Sequence, residues 1–112
     1  MQLFSAAALS FVLFVAMTSE TTPRDAVMLE LERDGGFVQL QLVGDSPMTQ
    51  RVRYEITFTG QSTSHLRGSA QLEAGRRHVL TTMRMSTGPR WCVKIAVEEG
   101  DGRRYELNGG EC

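Results

Sequence analysis

A chain of 112 residues has room for a single domain, and removing an N-terminal export segment leaves roughly 90 residues, near the low end for a self-sufficient core. With a formal net charge of -1 and a hydrophobic share of 41%, it is neither a disordered acidic chain nor a uniformly basic binder of nucleic acid.

Residues 1–18 carry no charged side chain, and Leu3 to Met17 is apolar apart from Ser5 and Ser10. That run is short for a bilayer span, which needs about 20 apolar residues, and fits the apolar core of a cleavable signal peptide, with an uncleaved anchor as the rival. Ala16 and Thr18 supply small residues for a cleavage site. No cysteine follows the run, which argues against a lipid anchor. The expected layout is a signal peptide over 1–18, a polar tail over 19–26 and one domain over 27–112, without stable membrane insertion.

Short alternating runs follow, each closed by turn residues. Val27, Leu29 and Leu31 alternate with Met28, Glu30 and Glu32, the period of two of a strand with one buried face. Asp34-Gly35-Gly36 is a tight-turn signal leading to Val38, Leu40 and Leu42, and Gly44-Asp45-Ser46-Pro47 breaks that second run. Between Arg51 and Thr59, Val52, Tyr54, Ile56 and Phe58 form the inward set, while Arg51, Arg53, Glu55, Thr57 and Thr59 point outward. Ser64–Leu72 and His78–Ser86 are polar, rich in Ser and Thr, and read as edge strands. Trp91–Glu98 alternates again, with Trp91 as a core or end-plug residue; Glu99-Gly100-Asp101-Gly102 turns the chain into a last strand, Arg103–Leu107. Seven short strands with no helical period predict an all-β, immunoglobulin-like antiparallel sandwich of two sheets, with a small barrel as the alternative.

Cys92 and Cys112 are an even pair in a small exported chain, which favours a disulfide over free or intermolecular thiols. By alternation Cys92 points away from Trp91 and Val93, placing the bridge on an outer face or rim. There is no Cys-x-x-Cys spacing to favour redox chemistry. His65 and His78 lack neighbours at metal-ligand spacing and read as solvated; Ser62 and Ser64 beside His65 lack a nucleophile elbow; Gly109-Gly110 reads as turn or tail. No enzyme activity, metal or cofactor is expected.

Charge is polarised along the chain. From Arg51 to Lys94 eight cations (Arg51, Arg53, Arg67, Arg76, Arg77, Arg84, Arg90, Lys94) face only Glu55 and Glu73, a net +6 between two acidic flanks. Eleven of the twelve basic residues are Arg, suited to planar contacts with carboxylates and amides. Outward positions on shared strands would form a cationic face that speeds encounter with acidic partners, or a solvated face with no partner. Arg51, Arg53, Arg67, Arg84 and Lys94 are the candidate partner contacts.

Val52-Arg53-Tyr54-Glu55-Ile56, Gly60-Gln61-Ser62, Gly68-Ser69-Ala70-Gln71-Leu72-Glu73-Ala74-Gly75 and Leu80-Thr81 together resemble the curli assembly family of CsgC and CsgH type, most closely its CsgH branch. The resemblance covers roughly residues 29–107. It implies an immunoglobulin-like domain of the Gram-negative periplasm that keeps curli amyloid subunits soluble until secretion; a monomer that contacts its client transiently is the expectation that goes with it. The Cys-x-Cys pair of the CsgC branch is reduced here to Cys92-Val93-Lys94, so a redox role does not carry over. A non-catalytic interaction or adhesion module of an envelope assembly, and a thiol-active periplasmic enzyme, are the other expectations.

Overall fold

The computed structural model describes residues 24–112. The expected signal peptide, 1–18, and most of the tail lie outside the described residues. Seven strands follow one another: β1 (Val27–Asp34), β2 (Phe37–Asp45), β3 (Gln50–Thr59), β4 (Thr63–Leu72), β5 (Arg77–Ser86), β6 (Cys92–Glu98) and β7 (Arg104–Gly110). They form two antiparallel sheets, one ordered β1-β2-β5 and the other β4-β3-β6-β7, so the sandwich expected from the alternation is present. The two segments read as edge strands, β4 and β5, are edges in the structure.

The alternation supplies the core. Leu40 and Leu42 of β2 face Ile56 and Phe58 of β3 and Ile95 of β6, all buried in one cluster closed by Leu72. Each such side chain contributes about 1.5–3 kcal/mol when removed from water. Gly44 lets the two sheets approach closely, since a Cβ there would stand 2.5 Å from Leu72 Cδ2. The β2–β5 ladder shifts register between Leu42 and Val43, leaving Leu80 of β5 as the extra residue of a bulge; Leu80 packs against the core.

Four local expectations are revised. Trp91 precedes β6 instead of opening it, and its ring stacks on Phe58 at 5.9 Å and 13°, the end-plug arrangement. Gly109 and Gly110 belong to β7 and not to a tail. Gly109 gives up its side chain to Leu29 and Leu31 of the opposite sheet, and Gly110, at φ 84°, makes room for Trp91. His65 is exposed, but His78 is half-buried on β5 and its Nε2 is enclosed without a partner, because the bulge turns this part of the edge inward. The last residues assigned to the tail are also folded: Ala26 is buried, and its carbonyl accepts a hydrogen bond from Asp45 N–H at 2.8 Å.

Candidate functional site

The register of the four-stranded sheet places four of the five candidate cations on one outer face. Arg51 and Arg53 stand on β3, Arg67 on β4 opposite Glu55, and Lys94 on β6 opposite Thr57. The fifth, Arg84, lies on the outer face of the other sheet, against the Phe37 ring at 4.7 Å.

Pairing across the strands tempers the positive charge. Arg53 and Glu98 are directly opposite and form an ion pair at 3.2 Å; Arg104, opposite Glu98 on β7, approaches its other oxygen at 3.5 Å. Arg67 Nε meets Glu55 at 3.0 Å, and Arg84 reaches Asp34 at 3.5 Å. Arg51 and Lys94 have no ion pair among the described residues. Cross-strand pairs this exposed contribute roughly 0.2–1 kcal/mol each, so the arginines exchange partners at small cost.

Ala96, between Glu55 and Glu106 in register, is the one short side chain in the middle of this face. The charged side chains on either side rise around it and leave a hollow of about 820 Å³. Counting outward positions, Arg51, Arg53, Arg67, Lys94 and Arg104 stand against Glu55, Glu98 and Glu106, a net +2. On the opposite sheet Arg77 and Arg84 stand against Glu30, Glu32, Asp34 and Asp45, a net -2. Polarity along the chain thus becomes polarity between two faces, weaker than the sequence count because β6 and β7 bring acids into the basic sheet.

The end of the sandwich beside Arg51 holds a buried polar cluster that the sequence reading passed over. Glu99, with a side chain 5% exposed, accepts hydrogen bonds from Ala26 N–H at 2.8 Å and Tyr105 Oη at 2.7 Å, with Arg103 Nη1 at 3.5 Å. Val27 N–H donates to Tyr105 Oη at 3.1 Å, and Arg103 also pairs with Asp25. Burial, then the hydrogen bond donated to Glu99, pushes the Tyr105 phenol well above its ordinary range. A signal existed: Val97 points inward and Glu98 outward, so Glu99 falls at an inward position.

Nothing in either region assembles a nucleophile with a base. The Nδ1 of His65 lies 3.3 Å from Thr57 Oγ1, and among the described residues no cluster of His, Cys, Asp and Glu is placed to hold a metal ion. Cys92 and Cys112 are joined in a disulfide, Cα to Cα 5.0 Å, at the outer rim where Cys92 stands opposite Thr59. The bridge fastens the end of β7 to the start of β6.

The sequence matches no family model and no curated protein. Solved structures do match. The E. coli curli protein CsgC, in a SeCys form, is 17% identical at a TM-score of 0.60, over 76% of this chain and 97% of its own. The solution structure of R. palustris CsgH is 19% identical at a TM-score of 0.51, over 75% of this chain and 89% of its own. By fold, this chain is of the CsgC/CsgH type.

Proposed function

We propose that this chain is a non-catalytic curli assembly protein of the periplasm, which keeps curli amyloid subunits from fibrillating before secretion. The observation that carries the reading is the fold held in common with the curli protein CsgC across nearly the whole of that chain. An intrachain disulfide is what an oxidising compartment outside the cytoplasm favours, in line with an exported protein.

Amyloid grows by adding strands to exposed edges, so a protein that occupies early subunits transiently delays nucleation without forming a lasting complex. In the proposed contact, Arg51 and Lys94 meet client carboxylates directly. Arg53 and Arg67, 70% and 82% exposed, trade Glu98 and Glu55 for them. Such a contact is steered by charge and weakens with salt.

The test is the lag time of curli subunit fibrillation, followed by thioflavin fluorescence, with Arg51→Glu and Arg53→Glu combined. The lag is expected to shorten toward that of the subunit alone; an unchanged lag with an intact fold overturns the charge mechanism. A stable stoichiometric complex in a pull-down would instead favour the interaction module of an envelope assembly.

A further inference from the structure

The two sides of the sandwich are finished differently. On one side β1 lies against β7, with Leu29 and Leu31 packed on Gly109. No comparable contact joins β4 to β5 on the other side. The reason is topological. A constant-type immunoglobulin sandwich carries its fourth strand beside the fifth. Here β4 pairs with β3 instead, so among the described residues no strand lies beside the outer edge of β5.

That open edge has a defined extent. At one end Leu72 and Leu80 close in around Gly44; at the other, Gly60 lies against the carbonyls of Ser86 and Thr87. Between them β5 turns Met83 and Met85 inward, both half-buried against the core. Leu66 of β4 also falls at an inward position, by register with Ile56, yet remains 36% exposed. Beyond the bulge at Leu80, Thr81–Ser86 pairs regularly with β2 on one side, and it contains no proline to blunt the other.

We propose that the bare edge of β5 over Thr81–Ser86 takes up an extended segment of a partner protein as an eighth strand, opposite β4. Backbone hydrogen bonds hold the segment, and its alternate apolar side chains cover Met83, Met85 and Leu66. Charge selects its other face. The outward positions of β5 itself carry Arg77 and Arg84 and no acid, and their pairs with Glu30 and Asp34 are exposed and exchangeable, so the outward residues of the segment are acidic. A second copy of this chain is disfavoured as occupant, since edge-to-edge pairing would bring two such basic strands together. Identifying the partner with the curli client rests on the reading above; the edge site itself does not.

The probe is a blocked peptide of about ten residues alternating valine with glutamate, against its valine–lysine counterpart. Amide hydrogen exchange of the protein is measured with each. The acidic peptide is expected to slow exchange at edge-facing amides of Thr81–Ser86 by about tenfold or more, and the basic one to leave it unchanged. Met83→Lys, an inward charge on the edge, abolishes the protection. Leu66→Glu, at a position already part-exposed, weakens it in a fold that tolerates the change. Peptide effects confined to the outer face of the four-stranded sheet overturn the proposal. So does protection of β5 without peptide: concentration-dependent protection reveals a second copy as occupant, and concentration-independent protection reveals a segment of this chain. Delayed curli fibrillation with no added protection on β5 removes strand addition and leaves the proposed function standing. Peptide protection without any delay does the reverse.

Discussion

The side of the sandwich where β1 meets β7 and the side where β4 and β5 stand apart are built from the same kind of alternating strand. They dispose of their bonding capacity in opposite ways. On the first, Glu99 takes hydrogen bonds from Ala26 N–H and the Tyr105 hydroxyl, Leu29 and Leu31 fill the space over Gly109, and the Cys92–Cys112 bridge fixes the chain end. On the second, Leu66 stays part-exposed and, among the described residues, β5 keeps an unpaired edge. Stability is concentrated where side chains complete one another, and capacity for a partner remains where they do not.

The largest break in this contrast comes from Glu99→Ala. It leaves Ala26 N–H and Tyr105 Oη without their acceptor and Arg103 without its buried partner, and should cost about 3 kcal/mol in urea unfolding. A loss under about 1 kcal/mol would show that the cluster is not what secures β1. Replacing both cysteines by serine should cost nearly as much, about 3 kcal/mol, by freeing the unfolded chain between residues separated by 20. Hydrogen exchange should then rise in β7 first and leave β4 unchanged. On the open side, Gly68→Ala sets a Cβ 2.5 Å from the Tyr54 ring, with an expected cost of about 2 kcal/mol, read from the melting temperature. Gly109→Ala sets a Cβ 2.4 Å from Leu31 Cδ1 and 3.1 Å from Val93 Cγ1, but Leu31 is 38% exposed and has room to turn away, so the cost should be smaller.

The smallest effect is confined to alkali. The unfolded Tyr105 phenol titrates at its ordinary 10.0, whereas burial and the bond to Glu99 hold the folded one higher. The unfolded state therefore releases its proton first, and stability present below pH 10.0 is lost as pH rises from there toward the folded value. Tyr105→Phe should flatten the alkaline limb of the stability curve; an unaltered slope would place the dependence elsewhere.

Much of this was legible in the sequence because period-two alternation carries burial directly. The inward set of β3, Val52, Ile56 and Phe58, is buried as spaced, and the Ser- and Thr-rich runs mark edges because an edge strand buries less. Alternation also placed Cys92 at the rim. It does not carry register. That Arg53 meets Glu98, or Arg67 meets Glu55, depends on which residues face across strands, so a strongly basic segment became a face with a net charge of only +2. Glu99 was hidden for a related reason. Its neighbours Gly100, Asp101 and Gly102 read as a solvated turn, while the amide it accepts from lies 73 residues away at Ala26.

The pairing of β5 with β2 also sets an order of assembly. The β3–β4 hairpin closes through Gly60 to Ser62 alone, and the β1–β2 hairpin through Gly35 and Gly36, so both can form early from local contacts. Joining Leu40 to Met83 must wait until the chain has folded β3 and β4 across to the other sheet, a long closure of the kind that slows β-sandwiches. Until then the inner edge of β2 is as bare as the outer edge of β5 is afterwards. A nascent chain is thus itself exposed to unwanted strand addition during the interval before β5 arrives.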